Sequence, residues 1–464
     1  MPDDPMAQEF DVVVLGGGPG GYAAALYGAS AGLNIAMVEA ERVGGTCLHK
    51  GCIPAKELLQ TAEVLRTVKH AADFGVGADH TGLDLSVSQT RKQGVVDRLT
   101  KGLEGLLKRR TVTVVPGTGT LAPDARTIIV SDGTQLRGRN VVIATGSAPR
   151  ELPIDGLAFD GAKVMSSDHV LKLEHVPERV AVIGGGAIGC EFASFLTDVG
   201  SQVTILEALP QLLTGVDQQV AKTVVRAFEK RGMKVQTGVT VNGFDGQAVS
   251  FEGKNGVESL PVDLVVVSVG RRPRSENIGL DGAGIKVDER GFVVVDGLMR
   301  TNVEGVFAVG DVVATPQLAH VAFSEAIVAI KTMLGEQVAP IEYDKVPWGI
   351  YCHPEVGFCG LTEEQAREQG YDIETSVHHW VGNGRALIIG ETDGAVKIVA
   401  EKNGPILGVH IVGPWATELM LEGYLTVNWE ATPADLGLLI HPHPSLSELF
   451  GESVLALTGR SLHA

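Results

Sequence analysis

Asp11-Val12-Val13-Val14-Leu15-Gly16-Gly17-Gly18-Pro19-Gly20-Gly21 sets a short apolar run of strand type directly against a glycine-rich turn. An alanine-rich stretch of helical character follows toward Gly32, and a second apolar run from Asn34 to Val38 ends at Glu39. This is a complete βαβ dinucleotide-binding unit. Gly16 makes the tight turn, Gly18 lets the backbone approach a pyrophosphate, Gly21 lets helix and strand pack closely, and Glu39 can bind a ribose hydroxyl.

The unit occurs a second time. Val180 to Ile183 leads into Gly184, Gly186 and Gly189, with Gly200 in the place of Gly32 and Glu207 in the place of Glu39. Two dinucleotides are therefore expected, on an α/β fold with two Rossmann-like units.

Length and composition agree with this. A chain of 464 residues is too long for one ordinary domain and suggests about three. With 44% hydrophobic residues, 59 glycines and no long charged or low-complexity tract, it reads as a folded α/β protein. The net charge of −18 argues against nucleic acid and anionic membrane surfaces as partners. No apolar run approaches the roughly 20 residues a membrane helix requires. The acidic start, Met1 to Phe10, is unlike a signal or transit peptide, so a cytoplasmic protein is expected.

Between the two units lies Gly44-Gly45-Thr46-Cys47-Leu48-His49-Lys50-Gly51-Cys52-Ile53-Pro54-Ala55-Lys56, which holds two of the five cysteines. The apolar set Leu58, Leu59, Ala62 and Leu65 has helical spacing, so the cysteines are expected on the loop and first turn entering a helix. Unsatisfied N–H groups and the helix dipole there favour a thiolate, and Lys56 adds a positive charge. A zinc half-site would want a tighter cysteine pair with further ligands, which Cys190, Cys352 and Cys359 do not supply. A structural disulfide does not suit a compartment where thiols stay reduced. The pair reads as a redox centre, and no metal site is expected.

This segment resembles the active-site motif of the pyridine nucleotide-disulfide oxidoreductases, and the resemblance extends over essentially the whole chain. It implies that Cys47 is the interchange thiol, that Cys52 touches a flavin, and that Lys56 lies near the flavin beside Glu191. His49 and Lys50 depart from the commoner Asn-Val of the motif. The first βαβ unit would hold FAD and the second NAD. Gly45, Thr46, Thr145 and Gly146 would join Gly16, Gly18, Gly21, Glu39 and Lys56 around FAD. Gly184, Gly186, Gly189, Glu207 and Gly270 would hold NAD.

The resemblance also gives meaning to less telling stretches. Gly310-Asp311 closes a run from Thr301 and resembles the segment whose aspartate binds the ribityl chain; on its own Asp311 reads as a helix cap. Leu318-Ala319-His320 opens an alanine-rich helix which, in the family, points its amino end at the flavin; His320 by itself reads as structural. Val96, Leu99, Leu103, Leu106 and Leu107 indicate a long amphipathic helix that packs in the core. Arg271-Arg272-Pro273 reads as a solvated turn.

From about Lys345 the texture changes to strands and hairpins, with Asn403-Gly404 as a turn between Val396–Ala400 and Leu407–Val412, and Thr362 to Gln365 as a capping box. This is an α+β domain, whose role in the family is dimerisation. Its end carries His441-Pro-His443-Pro-Ser445-Leu-Ser447-Glu448, where Ser445 and Glu448 fit a capping box and a histidine beside a carboxylate fits proton transfer near neutral pH. It resembles the His-Pro-Thr-Leu-Ser-Glu motif of the family's dihydrolipoyl dehydrogenase branch, which makes His443 a base and Glu448 its partner, with His441 supporting.

The expected segments are 1–149 for FAD with the redox pair, 150–275 for NAD, 276–344 for the second part of the FAD and central region, and 345–464 for the interface. The resemblance implies FAD-dependent oxidation of protein-bound dihydrolipoyl groups with reduction of NAD. The homodimer would serve the lipoyl domain of an acyltransferase or a glycine-cleavage carrier protein. An NADPH-dependent reductase of glutathione type and an inactive flavoprotein scaffold are the rivals. The tail Thr458 to Ala464 lacks the cysteine pair of a mercuric reductase.

Overall fold

The computed structural model describes residues 8–78 and 82–463, so most of the acidic amino-terminal stretch lies outside the described residues. The chain divides into two compact units. One comprises residues 1–57, 86–150 and 271–343, and the other residues 58–85, 151–270 and 344–464.

The first unit is built on the strand Gln8–Leu15, flanked in parallel by Ile35–Glu39 and Gln135–Ile143. Thr113–Pro116 extends the sheet on one side, Thr127–Val130 and Gly119–Leu121 continue it antiparallel on the other, and Val306–Ala308 also pairs with Gln135–Ile143. Successive side chains of the central strand enter opposite faces. Val13 and Leu15 join one apolar core with Ala36 and Val38, while Val12 and Val14 join another with Ile35 and Met37. A strand buried on both faces needs an unbroken apolar run, and each valine so buried contributes about 1.5–3 kcal/mol.

The helix Pro19–Ser30 covers one face with Gly21, Ala24, Ala25 and Gly28 turned inward. Small residues permit this approach: a methyl at Gly28 would meet Ile35 Cδ1 at 2.6 Å. The helix Ala319–Met333 packs on the same core through Ala326, Ala329 and Ile330. The expected amphipathic helix spans Leu85–Arg109, with Val96 and Leu107 buried; Leu99 is exposed, so the buried stripe is narrower than its spacing suggested.

The second unit repeats the arrangement in a parallel sheet ordered Lys234–Thr237, Gln202–Glu207, Arg179–Ile183, Leu264–Val267, Val164–Met165. A three-stranded antiparallel sheet follows, from Thr240–Phe244 to Gly256–Pro261. The terminal region is a five-stranded antiparallel sheet, from Trp348–Ile350 through Glu355–Gly360, Ile406–Gly413 and Ala395–Glu401 to Ile373–His379. Helices Ala416–Asn428 and Glu448–Leu457 share its core. The Asn403 turn, with φ +56°, joins two of these strands, and Thr362 caps its helix with Gln365 answering.

Within this unit a buried ion cluster ties the parallel sheet's helix to the terminal sheet. Lys397 Nζ lies 2.9 Å from Asp217 Oδ2 and 2.8 Å from Glu363 Oε2, and Asp217 also caps the helix Gln218–Lys230. Burial pulls the Asp217 carboxyl upward, but Lys397 outweighs it and holds the group below its ordinary value. Among the described residues no helix is long and apolar enough to cross a membrane.

Candidate active site

The three glycines of the first βαβ unit have different reasons to be glycine. Gly16 has φ +106°, and a Cβ there would stand 2.4 Å from Ala144 O. At Gly21 a Cβ would stand 1.8 Å from Gly16 O, so the helix could not pack on its strand. Gly18 caps the helix with φ −72° and ψ −172°, angles any residue adopts, and its nearest neighbour would be Gly45 Cα at 3.8 Å. The protein's own packing therefore does not require glycine at 18. The cradle a Cβ would fill lies at a helix amino terminus, which fits a pyrophosphate. Glu39 is braced, Oε2 accepting from Gly17 N at 2.6 Å and Oε1 from Glu41 N at 2.8 Å.

The second unit reproduces this atom by atom. Glu207 Oε2 accepts from Gly185 N at 2.6 Å and Oε1 from Leu209 N at 2.7 Å. Gly184 has φ +104°, Gly189 would place a Cβ 2.0 Å from Gly184 O, and a Cβ at Gly186 would meet nothing within 4 Å. Gly270 turns at φ +98° after the strand Leu264–Val267. Glu191 follows Gly189 on the helix and accepts from Tyr351 N at 2.9 Å.

The cysteine segment is fastened to the first turn. Gly44 N donates to Gly17 O at 2.7 Å, and a Cβ at Gly45 would lie 2.5 Å from Gly18 Cα. Thr46 and Cys47 sit in a short helix, Gly45–Lys50, and Cys52 is the first residue of the helix Cys52–Lys69. Cys47 is thus not on a loop, because the left-handed Gly44 and Gly45 allow a helical turn to begin earlier than Pro54 suggested. Leu58, Leu59, Ala62 and Leu65 are buried as their spacing implied.

The two half-buried cysteines stand as a hydrogen-bonded dithiol. That bond to Cys52, then burial and the charge of a Cys52 thiolate, push the Cys47 thiol far up, with Lys56 opposing. Each cysteine thus opposes ionisation of the other, so the pair shares one charge. Tyr22 is raised to about 12 by burial and by both cysteines. His49 and Lys50 are engaged elsewhere, His49 Nε2 with Val43 O at 2.9 Å and Lys50 with Glu41 at 2.5 Å.

Thr145, Gly146, Gly310 and Asp311 come together with residues the sequence did not mark. Gly146 O accepts from Arg274 N at 2.8 Å, and Thr145 Oγ1 donates to Arg274 O at 2.7 Å. Arg271–Pro273 is a strand paired with Ser147–Pro149, not a solvated turn. Arg271 Nε donates to Ser147 Oγ at 2.7 Å, Ser147 Oγ donates to Asp311 Oδ2 at 2.6 Å, and the arginine stands 3.7 Å from that carboxylate. Asp311 lies within the turn Gly310–Val312 and caps no helix. Glu325 is fully buried, accepting from Gly310 N at 2.6 Å and Tyr343 OH at 3.0 Å, and burial raises its carboxyl. A charged residue on the apolar side of the helix Ala319–Met333 was the signal for it. Leu318 caps that helix, Ala319 opens it, and His320 is exposed on its first turn.

In the terminal region His443 Nδ1 lies 2.8 Å from Glu448 Oε1, and Glu448 Oε2 accepts from Ser445 N at 2.7 Å. Burial pulls the Glu448 carboxyl up, but Ser445 N–H and His443 outweigh it and hold it below its ordinary value. An ionised carboxylate fixes the proton on Nδ1 and leaves Nε2 basic. The reciprocal bond, Glu448 N to Ser445 Oγ, is 3.3 Å. With the bond from Ser445 N it makes the reciprocal pair of a capping box, as expected, at the turn leading into the helix Glu448–Leu457. His441 has its own acid, with Nε2 2.7 Å from Glu422 Oε1, which raises its basicity. Among the described residues no group of three or more His, Cys, Asp or Glu could hold a metal ion.

Comparison with known proteins agrees over the full length. Residues 10–326 match the model of the pyridine nucleotide-disulphide oxidoreductases, and residues 346–454 match that family's dimerisation domain. The dihydrolipoyl dehydrogenase of Bacillus subtilis is 40% identical, covering 99% of this chain and 100% of its own. That of Thermus scotoductus is 42% identical, covering 98% of each. Among solved structures, LpdA of Mycobacterium tuberculosis superposes with a TM-score of 0.88 at 25% identity, covering 97% of this chain and 100% of its own. RclA of Escherichia coli, a flavoprotein disulfide reductase, does so with 0.85 at 27%, covering 96% and 99%. With two braced nucleotide turns and a dithiol seated on the first of them, the chain belongs to the pyridine nucleotide-disulphide oxidoreductases.

Proposed function

We propose that the chain oxidises protein-bound dihydrolipoyl groups to lipoyl disulfide and reduces NAD, using FAD. The observation that carries this is the dithiol fastened by Gly44 to the first nucleotide turn, in a chain 40% identical end to end to a dihydrolipoyl dehydrogenase. Gly16, Gly18, Gly21 and Glu39 would hold the FAD pyrophosphate and ribose, with Gly45, Thr46, Thr145, Gly146, Gly310, Asp311, Leu318, Ala319 and His320 around the rest. Gly184, Gly186, Gly189, Glu207 and Gly270 would hold NAD. Lys56 and Glu191 are assigned to the flavin's surroundings by the family pattern.

In the disulfide form of the pair, His443 Nε2 takes the proton of one substrate thiol while Glu448 stabilises the resulting cation. The substrate thiolate attacks Cys47 Sγ, the Cys47–Cys52 bond breaks, and Cys52 leaves as thiolate. His443 releases its first proton to solvent and takes that of the second substrate thiol, whose thiolate attacks the substrate sulfur of the mixed disulfide; Cys47 leaves and receives this second proton back from His443. In the reduced pair the two sulfurs share one charge, since the thiolate of one opposes ionisation of the other. FAD on the first turn, held through Gly16, Gly18, Gly21 and Glu39, would supply the two-electron acceptor that returns the dithiol to the disulfide, with NAD on the second turn as the final oxidant.

The active unit is a homodimer in which His443 of the partner subunit faces each cysteine pair. In support, the His443 side chain is 81% exposed in the single chain. Leu438, Ile440 and Trp429 lie open nearby at 86%, 96% and 76%, within the segment matching the dimerisation domain. A second copy is the natural cover for such apolar side chains. The substrate is the lipoyl domain of an acyltransferase or glycine-cleavage carrier protein, in the cytoplasm.

The test is turnover of dihydrolipoamide with NAD beside reduction of glutathione disulfide with NADPH. Dihydrolipoamide with NAD should be preferred at least about a hundredfold in kcat/KM, because Glu207 suits a ribose 2′-hydroxyl and repels a 2′-phosphate. Faster turnover of glutathione disulfide with NADPH would overturn the reading.

A further inference from the structure

The helix Ala187–Asp198, which opens at the second nucleotide turn, ends on an acid. A carboxylate there opposes the helix dipole, which favours cations at that end, and the last turn of this helix contains no basic residue. The duplicated unit supplies an internal comparison. The helix Pro19–Ser30 has the same 12-residue length and ends at Ser30, an exposed residue whose Oγ merely donates to Tyr27 O at 2.7 Å.

Asp198, by contrast, has a side chain only 6% exposed and held by groups from other elements. Arg66 bonds Oδ2, and Arg231 Nη2 bonds Oδ1 at 2.5 Å. Lys69 Nζ donates to the main-chain carbonyl of Asp198 at 3.1 Å, satisfying one of the helix's orphan acceptors. Arg231 also donates to Ser194 Oγ at 3.1 Å and to His353 O at 2.5 Å, and His353 N donates back to Ser194 Oγ at 2.9 Å. Burial first, then Arg66 and Arg231, push the His353 imidazole down to about 3, so it adds no third positive charge. Arg66 and Lys69 lie on the final turns of the helix that opens at Cys52.

We propose that Asp198, clamped between Arg66 and Arg231, is a positioning residue for the nicotinamide nucleotide: it fixes the far end of the helix whose first turn receives the NAD pyrophosphate. The proposal rests on the NAD assignment made above. The physical reason is preorganisation. The amino terminus binds a pyrophosphate well only while its N–H groups are aimed, and a helix free to tilt at its far end must be re-ordered by the ligand. Electron transfer from the thiol substrate to the cysteines does not involve that turn and should be indifferent to the clamp.

The test uses the FAD-loaded dimer. Arg66→Met removes one arm of the clamp and leaves Asp198 paired with Arg231. NAD binding to the oxidised enzyme is measured by calorimetry, and reduction by dihydrolipoamide without NAD is followed by rapid-mixing absorbance. NAD affinity should fall about tenfold while the dihydrolipoamide step stays within twofold of wild type, and Arg66→Lys should recover part of the loss. If Arg66→Met yields no loaded dimer, Arg66→Gln carries the same test, since it keeps a hydrogen bond without the charge. Unchanged NAD affinity, or both steps slowed in parallel, would overturn the clamp. A wild-type enzyme that binds no NAD would instead overturn the underlying assignment.

Discussion

Cys47 and Cys52 sit close in sequence, and the proposed function gives them different parts: Cys47 meets the substrate and Cys52 faces the flavin. Cys47→Ser and Cys52→Ser should each abolish lipoamide turnover, by at least about a thousandfold, while FAD stays bound through the Gly16 to Glu39 turn. Only Cys47→Ser, which leaves Cys52 free to ionise, should show long-wavelength absorbance with bound FAD; the reverse pattern would exchange the roles. Glu448→Gln should lower kcat roughly a hundredfold, since it removes the anion that orients and charges His443. The Glu448 carboxyl is held below its ordinary value, so its contribution to stability is present above the ordinary glutamate range and is lost as pH falls through the depressed value. Thermal midpoints of wild type and Glu448→Gln, followed from about pH 7 to about pH 3, should therefore converge at the acid end. The residue types at these positions were legible because thiol and imidazole chemistry leaves few substitutes. The upward push on Cys47 was not, since it depends on a sulfur neighbour that spacing alone does not place.

The two βαβ turns test how far glycine positions can be read. Gly18 and Gly21 look alike in a motif, yet Gly21 is demanded by the protein's own backbone and Gly18 is not. Gly18→Ala should fold with a thermal midpoint near that of wild-type apoprotein and bind FAD at least about tenfold more weakly. Gly21→Ala should lose several kcal/mol of stability, because its methyl would overlap Gly16 O and force helix from strand. Calorimetric unfolding of the apoproteins with an FAD titration separates the two; equal stabilities would contradict the account. Local elements were read well where an apolar run or a cap recurs on a fixed period, as for Asp11–Leu15 and the Thr362 box. They were misread where tertiary partners decide the outcome. Arg271 looked like a solvated charge until a paired strand and Asp311 gave it neighbours, and Glu325 is an acid held in a core by hydrogen bonds from Gly310 N–H, Tyr343 OH and the Thr315 side chain.

Across the whole chain, the ion cluster Lys397–Asp217–Glu363 shows what sequence leaves out. Three residues distant in the chain meet in the buried part of one unit, and no periodicity announces them. The cysteine segment and the terminal histidine stand far apart in chain order, and the proposed function has them act on one substrate through a dimer. Hybrid dimers of Cys47→Ser and His443→Gln subunits, each inactive as a homodimer, put this to the most direct test. A hybrid holds one site with both its cysteines and its histidine intact, so lipoamide turnover per purified hybrid should return to about half that of wild type. Verified hybrids that remain as inactive as the two parent homodimers would contradict the shared site.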